Sequence, residues 1–501
     1  MSMPWLTLVW AVPAVGAVLA AAVPRAARAV GYVATVAALA ISVGLACAFD
    51  GGWQFTESHR WMPAFGAGYR LGLDGVGLVL VVLTAALTPI LLLASTPEKG
   101  RRTAVYTALT LATEAMVLLS FVTTDVLVFY LVFEAMLIPL YFLISGFGGT
   151  PSDETEEPRA ADAERSRAAV RFLLYNLAGG LVMLAAVVGL YSTAHTFDLH
   201  ALATGVNAGA AQDLMFLGFL FAFAVKAPLW PLHSWLPRAA VQSTPPTAVL
   251  MMALVDKVGT FGMLRYCLTL FPDASARFAP WVGALAVIGI VYGAVLAIAQ
   301  TDVMALIAYT SISHFGFIIL GVFAGTGDAQ AGSVLYMVNH GVATAALFLA
   351  AGYLAGRRGS RRIADFGGVW QLAPRFGAVF LIAGLATLSL PGLGPFVSEL
   401  MVVVGTYQRW VVAAVVAVSA LVLSALYVLW VYQRMFTGEP PDPVRDDVTD
   451  ARPRELVVLV PLVAAVFVLG VYPRPALDVI NPAVVSTSTQ GSSTQPQAVH
   501  R

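Results

Sequence analysis

Charge and cysteine are what this sequence has least of. Only 11% of its 501 residues are Asp, Glu, Lys or Arg, whereas soluble domains carry charge at roughly a quarter of positions. The two cysteines, Cys47 and Cys267, lie inside apolar runs, which excludes a Cys-ligated iron–sulfur cluster and a disulfide framework. A formal net charge of zero argues against nucleic-acid binding, which needs a basic surface to neutralise phosphates. Lysine is rarer still, three residues against 25 arginines. What the sequence has instead is a 59% apolar share and a mean hydropathy of +0.82. The class these values give is a polytopic membrane protein.

A membrane-spanning helix needs about 20 mostly apolar residues. Such runs occupy 5–23, 29–49, 73–94, 103–121, 124–146, 170–192, 212–235, 245–270, 280–299, 303–324, 331–355, 374–404, 409–436 and 455–473. The first lacks a charged segment before it and is followed by Arg25 and Arg28, so it reads as a retained helix and not a signal peptide. Sorting basic residues into alternate connections puts nineteen on one side, among them Arg101, Arg102, Arg238, Arg357, Arg358, Arg361 and Arg362, and six on the other. The positive-inside rule then places both termini outside the cytoplasm. The acidic loop at 147–170 falls on the cytoplasmic side, and its segment from Pro151 to Arg167 reads as solvated and partly disordered. The Ser-, Thr- and Gln-rich tail from Asn481 reads as disordered too.

An ionisable group at the bilayer centre costs about 2.5 to 3.5 kcal/mol on insertion scales, so each one needs a reason. Glu114, Glu134, Lys226, Asp256, Lys257, His314, His340 and Glu399 all fall well inside these runs. Lys226 precedes Pro228 and Pro231, and proline removes a helical donor and crowds the preceding turn, so the helix is expected to break there. Backbone that is not helical at membrane depth is tolerated where it is packed in protein or lines a hydrated cavity. Glu399 follows a second interruption, Pro391-Gly392-Leu393-Gly394-Pro395. Asp256 and Lys257 are adjacent and point about 100° apart on a helix, so they should not simply neutralise each other. His314 and His340 carry the side chain that titrates nearest physiological pH. For each of these groups a bland reading competes: a protonated or ion-paired carboxyl, a lysine snorkelling to the interface, a satisfied core histidine. Two interrupted helices, each bearing a charge, suggest the repeat architecture of transporters. On that scheme span seven matches span twelve, and span five matches span ten.

Several stretches carry a family resemblance: Leu73-Asp74-Gly75-Val76, Phe133-Glu134-Ala135-Met136-Leu137-Ile138-Pro139, Pro231-Leu232-His233-Ser234-Trp235-Leu236-Pro237, Tyr309-Thr310-Ser311-Ile312-Ser313-His314, Asn339-His340-Gly341 and Ile363-Ala364-Asp365-Phe366-Gly367-Gly368. From residue 70 to 436 the chain resembles the antiporter-like membrane subunits of bacterial complex I, the respiratory NADH:quinone oxidoreductase, in their M-type branch. Thr344 and Glu399 stand where the L- and N-type branches and Mrp-type antiporters tend to carry lysine. The resemblance implies an all-α membrane fold of about fourteen helices with two inverted five-helix repeats and broken helices seven and twelve. It divides the chain into 1–102, a first repeat at 103–270, a second at 280–436, and 437–501. Glu134 is implied to pair with Lys226, a central relay to run through Lys257, His314 and His340, and Glu399 to serve the exit side. Expected partners are other membrane-arm subunits, especially L-like and N-like chains, in the bacterial cell membrane. NADH, FMN, iron–sulfur clusters and quinone are expected in partner subunits, with no cofactor or metal on this chain. Competing functions are an Mrp-type cation/proton antiporter or energy-converting hydrogenase subunit, and a non-conducting scaffold. Arg238, Ala240, Met304 and Ala305 depart from the family pattern in or near cytoplasmic connections, and Asp256 stands where an apolar residue is expected.

Overall fold

The structure, a computed structural model, describes residues 3–95, 100–148, 158–205 and 209–492. In chain order the helices that matter are α1 (Trp5–Ala22), α2 (Ala27–Ala48), α3 (Gly75–Ala94), α4 (Arg101–Val122), α5 (Val126–Gly146), α6 (Pro158–Ala194), α7 (Ala210–Lys226), α8 (Leu236–Gln242), α9 (Pro245–Leu270), α10 (Pro272–Ile298), α11 (Val303–Ala324), α12 (Gly327–Arg358), α13 (Pro374–Thr387), α14 (Gly394–Tyr407), α15 (Val411–Phe436), α16 (Pro453–Val471) and α17 (Arg474–Ser492). Among the described residues twelve helices are long and apolar enough to cross a membrane. The broken pairs α7/α8 and α13/α14 are not among those twelve. The chain is a multi-pass membrane protein.

The helices sort by how much protein surrounds them. The most apolar windows of α9 and α12 are wholly buried and that of α11 is 89% buried, against 28% for α1 and 22% for α16. The central three are therefore the ones on which charged groups can be kept away from lipid. Small residues let neighbouring backbones approach, the usual device where lipid is as apolar as the side chains. A Cβ on Gly293 of α10 would lie 2.8 Å from the Ser313 nitrogen of α11, and one on Gly316 would lie 2.6 Å from Ile290.

The family-like stretches have local structural reasons. Asp74 caps α3 by accepting from Gly77 N at 2.9 Å and pairs with Arg265 at 2.5 Å. Gly75 is required because a Cβ there would collide with the Val479 carbonyl of α17. Gly368 adopts φ +59° and donates to Thr437 O at 2.9 Å, tying the connection after α12 to the one after α15.

The run 374–404 breaks as expected, the chain leaving the helix after Thr387 and resuming at Gly394. Two expectations are corrected. The acidic segment is helical from Pro158 onward, because its Ala, Glu and Arg residues are strong helix formers that extend the apolar helix below them; residues 151–157 lie outside the described residues. The tail expected to be disordered from Asn481 continues α17 to Ser492, with Ile480, Ala483 and Val484 buried, and 493–501 lie outside the described residues. A two-stranded antiparallel hairpin, β1 (Gln54–Met62) with β2 (Ala67–Leu73), was not anticipated between α2 and α3. Its Glu57 accepts from Leu6 N at 2.8 Å, and its Arg70 pairs with Asp125 at 2.7 Å and Asp198 at 3.2 Å.

Candidate functional site

The first cluster forms where α7 ends. Pro228 and Pro231 leave carbonyls of the last turn without their helical donors, and the Trp235 indole donates to Val225 O at 2.9 Å. Lys226, the last helical residue, is 1% exposed. Its ammonium donates to Phe133 O at 2.9 Å and lies 3.8 Å from the Phe133 ring centroid, a cation–π contact strengthened by the absence of water. That excludes the snorkelling reading. Glu134 is half-buried, and neither carboxylate oxygen has a hydrogen-bond partner. The two side chains share no hydrogen bond. The lysine binds the carbonyl beside Glu134 and only interacts with its charge electrostatically, because α5 turns at Met136 ahead of Pro139, which aims the Glu134 side chain at Gly180 of α6. A Cβ on Gly180 would collide with that carboxylate.

The second cluster sits at the centre. Lys257 Nζ is 2.8 Å from His340 Nδ1 and 4.1 Å from the centre of the Phe315 ring. The rings of His340 and His314 are 5.4 Å apart, centre to centre, and His314 lies 5.9 Å from the ring of Tyr336. His340 Nε2 has no partner among the described residues. Lys257 occupies a short α-helical stretch, Asp256–Gly262, set between two π-helical ones, Leu250–Val255 and Met263–Cys267. Such widened turns are rare and collect at functional sites. Nothing in the sequence marked them.

The third cluster lies at the second break. Glu399 is 3% exposed; its Oε2 accepts from Tyr336 at 2.9 Å and from Ser389, while Oε1 has no partner. Asn339 holds the break to α12 by donating to Gly394 O at 2.7 Å and Ser398 Oγ at 3.1 Å. Ser389 takes φ +60°, a strained left-handed position of the kind that persists where surroundings enforce it. Sequence reasoning missed Tyr336 and Ser389. Tyr336 could have been found, since it lies four residues before His340 and so on the same face of α12.

Lys257, His340, His314, Tyr336 and Glu399 therefore form a row of neighbours across α9, α11, α12 and α14, and Lys226 with Glu134 forms a separate cluster where α7 ends. Glu114 of α4 and Asp256 of α9 are fully buried with both oxygens unpartnered. No cluster of three or more His, Cys, Asp or Glu side chains able to hold a metal occurs among the described residues. A row of buried protonatable groups, with Lys257 hydrogen-bonded to His340 and Tyr336 to Glu399, has the chemistry to hold and release protons.

Residues 123–424 match the family model described as NADH:quinone oxidoreductase/Mrp antiporter, TM. NADH-quinone oxidoreductase subunit M of Mycobacterium tuberculosis is 52% identical, the match covering 97% of this chain and 94% of that protein. A chain in the structure of respiratory complex I from Thermus thermophilus with bound NADH superposes with a TM-score of 0.87 at 31% identity, covering 97% of this chain and 99% of that one. A chain of the Mrp complex from Dietzia sp. DQ12-45-1b shares the fold, with a TM-score of 0.85 at 23% identity over 97% of this chain and 98% of that one. Three buried clusters on interrupted and widened helices thus sit in a chain that belongs to the NADH:quinone oxidoreductase/Mrp antiporter transmembrane family.

Proposed function

We propose that this chain is a proton-translocating subunit of a respiratory NADH:quinone oxidoreductase, in which Glu134, Lys226, Lys257, His314, His340 and Glu399 carry protons while partner subunits pass electrons from NADH to quinone. The observation that carries the reading is the contact of Lys257 with His340, 2.8 Å long and wholly buried. Two basic nitrogens so close in a dry interior cannot both carry a positive charge, and a hydrogen bond between them is a path along which one proton can pass. FMN, iron–sulfur clusters, NADH and quinone belong to partner subunits on this reading, with L-like and N-like chains as membrane-arm neighbours. The M-type assignment is favoured over an Mrp antiporter by Glu399 and Thr344, and by the name and identity of the mycobacterial relative.

Counting the two broken segments as crossings gives fourteen. An inverted repeat gains support from two matching caps. In Thr124-Asp125-Val126 the carboxylate accepts from Leu127 N and Val128 N and pairs with Arg70 at 2.7 Å. In Thr301-Asp302-Val303 it accepts from Met304 N and Ala305 N and pairs with Arg361 at 2.9 Å. Five crossings separate the two caps, which puts them on opposite faces. With the basic residues on the cytoplasmic side, a cysteine at exposed Ser166, in a variant lacking exposed Cys47, is expected to react with an impermeant thiol reagent in inverted vesicles and not in intact cells. Labelling in intact cells would refute the orientation.

The function is tested by Lys257→Met, which keeps the bulk of the side chain and removes its proton. In the complex reconstituted in sealed liposomes, pumping and coupled quinone reduction are expected to fall at least about a hundredfold, as for removal of a general acid–base group. NADH oxidation by an artificial acceptor should be unchanged. Normal pumping in that variant would overturn the relay.

A further inference from the structure

We propose that Asp256 is a further proton carrier, a carboxyl that joins Lys226 to Lys257 and divides the transfer between the two lysines into two shorter ones. This rests on the reading of both lysines as proton sites given above. Asp256 is fully buried, and neither of its oxygens has a hydrogen-bond partner. A buried carboxyl without partners is a steep cost to folding, and an apolar residue would avoid it. The position calls for a use.

Its direction supplies one. Asp256 lies three residues before Gly259, hence on the same face of α9. Gly259 is pressed onto the end of α7, where its Cβ would lie 2.8 Å from Ala227 N and 3.0 Å from Phe223 O. The face that holds Asp256 is therefore the one turned to the break that carries Lys226. Lys257, about 100° round the helix, is turned instead to α12 and α11, where it meets His340 and Phe315. Neighbouring residues on α9 thus address the two halves of the chain. Asp256 interacts electrostatically with both lysines while hydrogen-bonding to neither, the arrangement expected of an intermediate stop and not of a locked ion pair.

In the first step the Lys226 ammonium gives a proton to the Asp256 carboxylate, leaving a neutral amine and a carboxylic acid. In the second the acid gives that proton to the neutral amine of Lys257, restoring the carboxylate and forming an ammonium. No electron moves, and no co-reactant is consumed. A carboxyl suits this place because it can hold the proton in a neutral form between two amines that cannot both stay charged in a dry interior.

The test uses the assembled complex in sealed liposomes, with Asp256→Asn and Asp256→Glu. D256N is expected to slow coupled NADH:quinone turnover at least about tenfold, with assembly and reduction of an artificial acceptor unchanged, and D256E should recover most of the loss. In infrared difference spectra taken on quinone reduction, a carbonyl-stretch signal of a protonated carboxyl should vanish in D256N and return in D256E. A counter-ion that never binds the proton would leave that signal unmoved. If D256N does not assemble, D256S, smaller and also neutral, is read in the same way. Undiminished turnover and proton yield, or slowed turnover with an unaltered infrared signal, would each overturn the proposal. If D256N pumps normally while Lys226→Ala and Lys257→Met do not, Asp256 alone is excluded and the relay stands. If all three pump normally, the relay itself is excluded.

Discussion

Replacing Lys226 by alanine is expected to abolish proton pumping and coupled NADH:quinone turnover, while electrons from NADH still reach an artificial acceptor at the normal rate. The ammonium does two things in the structure. It satisfies the Phe133 carbonyl at 2.9 Å and sits over that ring at 3.8 Å, and it is the cationic neighbour of Glu134. Alanine removes both, leaving a buried carbonyl short of a donor and an acidic group short of a charge partner. Breaking a buried charged contact from one side costs about 3 to 5 kcal/mol, so assembly must be measured separately from activity. Loss of a proton-loading group adds a rate penalty of at least about a hundredfold. Dye quenching in sealed proteoliposomes reads the pumping, and native electrophoresis of the complex reads the assembly.

Glu399→Gln is the second large effect. Its Oε2 accepts from Tyr336 and Ser389, and a glutamine carbonyl can accept from the same two hydroxyls, so the break between α13 and α14 should keep its shape. What glutamine cannot do is bind and release a proton. Pumping is expected to fall at least about tenfold, with the complex assembled and the artificial-acceptor rate intact. Tyr336→Phe, which removes one donor and leaves the carboxyl, should give a smaller loss. Normal translocation in Glu399→Gln would exclude Glu399 as an obligatory carrier.

The residues of the row were legible because charge inside an apolar run is conspicuous and costly. The two breaks were legible from proline and glycine. The partners were not, because a contact such as Lys226 with the Phe133 carbonyl depends on how α5 turns at Met136, and Pro139 announces a disturbed helix but not which carbonyl it presents to a neighbour. That turn also leaves Glu134 and Lys226 without a hydrogen bond between them. The π-helical stretches flanking Lys257 left no trace in the sequence, since a shift of hydrogen-bond register is decided by packing against α3, α7 and α12. Gly180 was overlooked because its meaning is the carboxylate that presses on it, which only the assembled helices reveal. The hairpin before α3 escaped notice because β1 is largely polar and exposed and β2 is interrupted by two glycines, so neither shows the apolar alternation that marks a half-buried strand.

The central claim is that these buried groups change protonation during turnover and do not merely supply fixed charge. Lys226→Arg separates the two most directly, because guanidinium keeps its proton at any physiological pH and yet retains the positive charge near Glu134. The measurement is the number of protons translocated per NADH oxidised by the complex in sealed liposomes. A carrier predicts that arginine fails as alanine does, with pumping and coupled turnover both lost and the artificial-acceptor rate preserved. Full turnover and an unchanged proton yield with arginine, where alanine abolishes both, would contradict the claim and make Lys226 an electrostatic partner only.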